Sequence, residues 1–173
     1  MATATQIVPL SEYLETAYHP DRDYIDGELR ERNVGKWNHS RVQMLIGHWF
    51  GSHESQWGVL CATEQRVRIS ASRVRVPDLV VVPLEETPQL IVSPPLLVIE
   101  ILSPDDSYSD TEERAGDYLR MGCRSVWIID PKTRTGRMCD GRNWTAASRL
   151  EVPGTPIYVE LGDIFAKLHA ACD

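Results

Sequence analysis

The chain has 173 residues, 42% hydrophobic and 25% charged, ordinary globular values that suit one domain and exclude collagen, coiled coil and a disordered polymer. Eighteen Lys and Arg face 25 Asp and Glu for a net charge of −7. That excludes attraction to nucleic acid through overall charge, though not through a local basic patch. No apolar run approaches the roughly 18 residues of a membrane span, and the opening MATATQIVPLSEYLE lacks the basic and apolar regions of a signal peptide. The cysteines Cys61, Cys123, Cys139 and Cys172 show no Cys-x-x-Cys spacing, so reduced thiols in a cytoplasmic protein are expected. A single domain over residues 1–173 is expected, with residues 1–8 as a flexible tail.

In chain order, Ser11 is placed to cap a short helix from Glu12 to Tyr18, ending before Pro20. Tyr24 to Leu29 reads as a hairpin turning at Asp26-Gly27. Asn38 is a natural N-cap for a helix whose Val42, Leu45, Ile46, Trp49 and Phe50 form one apolar stripe, fraying at Gly51. Strand-like stretches follow at Val59 to Ile69 and Val74 to Val82, joined by Ser70-Ala71-Ser72, and at Leu96 to Leu102. A helix from about Ser109 to Met121 carries a capping-box spacing, Ser109 to Glu112, and ends at Gly122. SVWIID (Ser125 to Asp130) is a buried strand. Arg137 to Trp144 suits a hairpin turning at Asp140-Gly141, and a strand at Ile157 to Glu160 and a helix near Asp163 to Leu168 close the chain. The Leu96 strand, the Ser109 helix and the Ser125 strand make a βαβ unit with parallel strands and a right-handed crossover. The earlier strands, joined by short connections, should be antiparallel.

Glu100 stands alone among Leu96, Leu97, Val98, Ile99, Ile101 and Leu102. A carboxylate in a central strand costs several kcal/mol or shifts its pKa unless a cation is close. Pro77 cannot donate to a ladder, so Arg75-Val76-Pro77-Asp78 marks a strand start, an edge or a bulge, and a bulge would turn Asp78 toward the adjacent strand. Two carboxylates from neighbouring strands make an oxygen site suited to Mg²⁺ or Mn²⁺. Taken singly, each has a plainer reading: a strand-end acid reaching solvent, and a Pro-Asp turn.

Pro77-Asp78 followed by Glu100, within this element order, resembles the PD-(D/E)XK nuclease core. The segments Tyr24-Ile25-Asp26-Gly27-Glu28-Leu29, His39, Val76-Pro77-Asp78, Val98-Ile99-Glu100-Ile101-Leu102-Ser103-Pro104, Asp110 with Tyr118, Gly122, and Val126-Trp127-Ile128-Ile129-Asp130-Pro131 resemble the Uma-type family of putative restriction endonucleases, over about residues 24–144. The resemblance implies an α/β (α+β) fold, a restriction-endonuclease-like mixed sheet of order αβββαβ with extra N- and C-terminal strands. It implies a Mg²⁺-dependent (or Mn²⁺-dependent) DNA endonuclease, in which Asp78, Glu100 and the Ile101 carbonyl hold the ion. Glu28 would bond a metal water, and His39 would orient Gln43 or a water. For His39 a plain role in the first helical turn competes, because the dipole there disfavours its charged form.

The superfamily lysine two positions after the glutamate is Leu102 here, and the lysine of the Uma-type family on the following helix is Arg114, between Asp110 and Tyr118. Spacings of four put those three on one face. Arginine stays protonated, so it cannot be a general base, but it can pair with Glu100 or grip a phosphate. The plain alternative is an Asp110–Arg114 salt bridge on a wet face. Arg66, Arg68, Arg73 and Arg75 flank the Ser70-Ala71-Ser72 turn and, if the register joins them, form a phosphate-contacting strip leading to Asp78; a solvated or dimer-facing hairpin is the other reading. Trp37, Trp49, Trp57, Trp127 and Trp144 read mostly as core positions, and nothing in the sequence marks them as base-stacking platforms. A homodimer is expected, since it would address two strands. The competing functional readings are a catalytically weakened homodimeric binding or scaffolding module, in which Arg114 neutralises Glu100 in place of a metal, and hydrolysis of a non-nucleic phosphodiester.

Overall fold

The computed structural model describes residues 7–168 except 34, 86, 87 and 142. The expected tail therefore lies outside the described residues for positions 1–6. Val8 is not loose: its N–H donates to the Gly27 carbonyl and its own carbonyl accepts from Tyr24 Oη.

Helix α1 (Leu10–Glu15) starts after Pro9 without a side-chain cap, earlier than Ser11 suggests. Strands β1 (Asp23–Ile25) and β2 (Glu28–Arg30) form the expected hairpin. Asp26 and Gly27 both have positive φ (51° and 93°), as a two-residue type I′ turn requires. Helix α2 (Trp37–Gly51) begins one residue before Asn38, and its apolar stripe buries Val42, Leu45, Ile46 and Phe50. A single turn, α3 (Glu54–Trp57), leads into β3 (Val59–Thr63).

The next stretch departs from the expectation of two continuous strands. Each is broken into two: β3 and β4 (Val67–Ser70), then β5 (Arg73–Arg75) and β6 (Leu79–Pro83). The long hairpin bends at residues 64–66 and 76–78, so its halves belong to different sheets. A small sheet has order β2-β1-β5-β4, and a larger one contains β3 and β6. Pro77, lacking an N–H, sits at the second bend, where no ladder partner is needed.

Strand β7 (Leu97–Ile101), helix α4 (Tyr108–Met121) and strand β8 (Ser125–Asp130) form the βαβ unit, with β7 and β8 parallel. The Ser107 side chain caps α4 by accepting from the Asp110 N–H, in place of Ser109, and Gly122 closes it with φ 104°. Strands β9 (Thr135–Cys139) and β10 (Trp144–Ala146) make the next hairpin. A strand not expected from the sequence, β11 (Arg149–Glu151), pairs with β12 (Tyr158–Glu160), and α5 (Leu161–Phe165) ends the described chain.

The large sheet has order β10-β9-β8-β7-β6-β3, antiparallel except at β7–β8. Helices cover both faces. Leu97, Ile99 and Ile101 of β7 pack with Val42, Ile46 and Phe50 of α2, while Val98 packs with Ala115 and Tyr118 of α4. Alternation along β7 therefore sends Glu100 into the α4 layer. No helix among the described residues is long and apolar enough to cross a membrane.

Candidate active site

Strands β6 and β7 pair with Leu79 opposite Ile99. One step further along the same register, Asp78 lies opposite Glu100. No bulge is needed; the bend at residues 76–78 delivers Asp78 to the mouth of the sheet. Both acids line one cavity of about 50 Å³, with Arg32, His39 and Arg114 among its other walls. Both are nearly fully buried, 4% exposed each.

Asp78 is fixed from every side. Its carbonyl accepts from Gln43 Nε2 at 3.0 Å and from the Glu64 N–H. Its Oδ2 accepts from the Ile101 N–H at 2.7 Å and lies 3.3 Å from His39 Nε2, and its Oδ1 accepts from Arg32 Nη2 at 2.8 Å. Burial pushes its pKa up, but the hydrogen bond and charge of His39, the Arg32 guanidinium and the Ile101 N–H together hold it below the usual carboxylate range. His39 responds in kind: burial lowers its pKa, yet the bond to Asp78 brings it out above that of a free imidazole. The ring thus acts on Asp78 directly, rather than through Gln43, which reaches the Asp78 backbone on its own.

Glu100 meets the expected helix face. Arg114 donates to Oε1 and Oε2 through Nη2 at 3.0 and 3.1 Å, and Tyr118 Oη donates to Oε1 at 2.9 Å. The Asp110–Arg114 surface pair does not form: Arg114 turns inward, and Asp110 is exposed at the cavity edge. Burial still pushes the Glu100 pKa up, because Arg114 only partly offsets it and Asp78 adds a like charge. The two acids are thus driven in opposite directions, a common mark of paired catalytic carboxylates.

Arg114 also donates to Asp23 Oδ2 at 3.0 Å and to the Val76 carbonyl at 3.1 Å. Asp23 is the hairpin residue that reaches this centre, whereas Glu28 is exposed on β2 and does not line the cavity. Asp23 in turn accepts from Arg75 Nη1 and from the Val76 N–H, and Arg75 Nε donates to Asp117 at 2.7 Å. Asp117 also accepts from Arg73 and Arg120. Sequence reasoning missed Asp23, Arg32 and Asp117. Asp117 could have been noticed as an acid beside the inward positions Ala115 and Tyr118 of α4, since a charge next to a buried stripe needs a partner.

The same network corrects the arginine strip. Arg75 is 3% exposed and bound to Asp23 and Asp117. Arg73 pairs with Asp117 and Asp26. Arg66 forks onto Asp21, donates to the Tyr13 and Thr16 carbonyls and lies 4.3 Å over the Tyr13 ring. The Arg68 side chain donates to the Ser70 carbonyl. Three of the four stabilise the small sheet from within and present no phosphate-binding strip, because an acidic chain supplies them with internal partners.

A wider cleft of about 660 Å³ adjoins the cavity, and His39, Ser103 and Asp106 line both. Trp37, at its rim, is 75% exposed, contrary to its reading as a core position.

A mixed sheet carrying an Asp–Glu pair across neighbouring strands, flanked by helices on both faces, defines a restriction-endonuclease-like, nuclease-type fold. The chain belongs to the Uma2 family, described as "Putative restriction endonuclease", whose profile matches residues 10–156. The fold is similar to the crystal structure of a putative nuclease belonging to DUF820 from Anabaena variabilis, with a TM-score of 0.81 at 22% identity, covering 92% of this chain and 98% of that one. None of the curated proteins matches the chain.

Proposed function

We propose that the protein is a metal-dependent endonuclease that hydrolyses phosphodiester bonds in DNA, with Asp78, Glu100 and the Ile101 carbonyl as the protein ligands of Mg²⁺ or Mn²⁺. The observation that carries this reading is the placement of Asp78 and Glu100 opposite each other in one cavity. The donor set fits: Mg²⁺ is held by hard oxygens, commonly one or two carboxylates with several waters retained. Among the described residues no three His, Cys, Asp or Glu side chains gather as a ready-made cage.

When bound, the ion would supply Lewis-acid stabilisation of the phosphoryl oxygens and a more acidic water. The residues of the chain do the rest. Arg114 orients Glu100 and keeps a permanent positive charge beside it. Arg32 does the same beside Asp78, and a bound ion would share each carboxylate with its guanidinium. His39, hydrogen-bonded to Asp78 at the mouth of the cavity, positions that carboxylate. We read the protein as a cytoplasmic homodimer presenting two sites, which sedimentation of the purified protein would test.

Calorimetric titration of Mg²⁺ or Mn²⁺ into the wild type and into Asp78→Ala is the direct test. Saturable binding lost in Asp78→Ala supports the reading; no binding to the wild type refutes it.

One observation favours a second reading. The Arg114 fork already meets both oxygens of Glu100, which suits a binding or scaffolding module that uses guanidinium in place of metal.

A further inference from the structure

We propose that the cleft beside the acid pair holds single-stranded nucleic acid, with an unstacked base against Trp37 and the neighbouring phosphates against Lys132 and Arg134. The proposal deepens the nuclease reading and rests on it for the bond to be cut.

The cleft has about 660 Å³ of space, within the range of sites that enclose a small ligand, and its walls include Leu102, Pro104 and Pro131. Apolar walls of that kind suit the face of a base rather than a hydrated duplex backbone. Trp37 stands at its rim, 75% exposed, and Tyr108 is 40% exposed. Exposed aromatic rings beside cations are how proteins bind single strands, since every base has a π-face and a stacked base is sequence-tolerant.

The cations are in place and free. Lys132 and Arg134 are exposed and make no ion pair among the described residues, in contrast to the buried arginines of the small sheet. Their turn is held rigid by Asp130, which accepts from the Lys132 N–H at 2.8 Å and from Thr133 Oγ1 at 2.8 Å. Lys36, at the same rim, has only a loose 3.8 Å contact with Asp105. The acids of the cleft are already occupied: Asp130 in that turn, and Asp106 with Ser103 and Asn33. Two polar atoms of residues in its lining, Asn38 Oδ1 and His39 Nδ1, are buried without a hydrogen-bond partner among the described residues. His39 also lines the acid cavity, so the cleft adjoins the cavity of Asp78 and Glu100.

The test is fluorescence anisotropy of a labelled oligothymidylate and of a duplex of equal length, with chelator present so that binding is separated from cleavage. The single strand should bind more tightly. Trp37→Ala should weaken it about tenfold, Trp37→Phe should restore most of the loss, and Lys132→Gln with Arg134→Gln should flatten the logarithmic salt slope by about 1.4, at roughly 0.7 per single-strand phosphate. Unchanged affinity of Trp37→Ala, or a duplex bound as tightly without regard to Trp37, overturns the proposal. A wild type that binds as described but does not cut with Mg²⁺ supports the cleft and refutes the nuclease. A wild type that cuts, with Trp37→Ala unchanged in Kd and KM, overturns the cleft alone.

Discussion

Glu100→Gln separates the metal-dependent enzyme from the scaffold, because the substitution keeps the shape of the side chain and removes its charge. In the structure Arg114 donates three times to Glu100, at 3.3, 3.0 and 3.1 Å, and once each to Asp23 and the Val76 carbonyl. Orphaning a buried charge completely costs about 3–5 kcal/mol. Here Asp23 remains, and the amide oxygen of glutamine still accepts one bond, so the loss should be near the value of one charge-assisted hydrogen bond, about 2 kcal/mol. Urea denaturation in chelator measures this term alone. The same denaturation with Mg²⁺ at about a hundred times its Kd should stabilise the wild type by a further 2.7 kcal/mol or so, and this increment should vanish in Glu100→Gln. If the apo loss is under about 0.5 kcal/mol, Arg114 does not depend on Glu100 and the electrostatic reasoning is wrong. If the apo loss appears but Mg²⁺ stabilises neither protein, the ligand assignment is refuted and the scaffold stands.

Three further substitutions probe other joints of the argument. Arg114→Lys should retain or raise Mg²⁺-dependent cleavage, while costing about 1–2 kcal/mol because a single ammonium cannot fork onto Glu100 and still reach Asp23; a tenfold loss of cleavage in a gel assay would contradict the role given to this position. Asp117→Asn should lower stability at neutral pH by about 3 kcal/mol and remove an acid-dependent component of it. Although burial pushes the other way, Arg75 and Arg73 depress the Asp117 pKa below 3.8, so its contribution is complete above that value and lost as pH falls through the depressed one, which denaturation from pH 7 to 2 would reveal. Gly136→Ala drives a methyl group into Leu161 Cδ1 and to 3.1 Å from Leu150 Cδ1, an overpacking worth about 1–3 kcal/mol that thermal denaturation should register with no change in metal binding.

The parts of the fold that were legible in the sequence are those fixed by local pattern. The Asp26-Gly27 turn, the stripe of α2 and the unbroken apolar run of β7 each carry their signal within about ten residues, and the βαβ order then sets the parallel pair. What escaped was the division of the long hairpin between two sheets. Its residues keep a strand-like pattern throughout, and only the bends at 64–66 and 76–78 reassign the halves. Glu64 takes a positive φ of 53° at the first bend, a conformation that its residue type does not advertise. The same division explains the errors about side chains. Period-two alternation rightly grouped Arg73 with Arg75, which share β5 and both bind Asp117, but it carried Arg66 across the bend that precedes β4 and so grouped it wrongly with Arg68. Asp23, Arg32 and Asp117 come from a hairpin, a loop and a helix, and their pairing with Arg75, Arg114 and Asp78 spans 42 to 91 positions, a distance over which no spacing rule operates.

The buried network also bears on how an acidic protein meets an anionic substrate. Asp23, Asp78, Glu100 and Asp117 are each paired with arginine, from Arg32, Arg73, Arg75 and Arg114, so these buried charges are compensated locally and cast little field into solvent. The excess of negative charge therefore resides mainly on the rest of the molecule, where it opposes long-range approach of nucleic acid. Against that background, Lys36, Lys132 and Arg134 act only within about a Debye length, near 8 Å at physiological salt. Association should then be slow and only weakly accelerated by lowering the salt, because dilution of the ions lengthens the reach of repulsive charge together with that of the three cations. A strand held by stacking on Trp37 and by phosphates against Lys132 and Arg134 should then carry most of its salt dependence in the dissociation rate. Stopped-flow measurement of both rates distinguishes this local capture from ordinary electrostatic steering, in which the on-rate alone would climb steeply as salt falls.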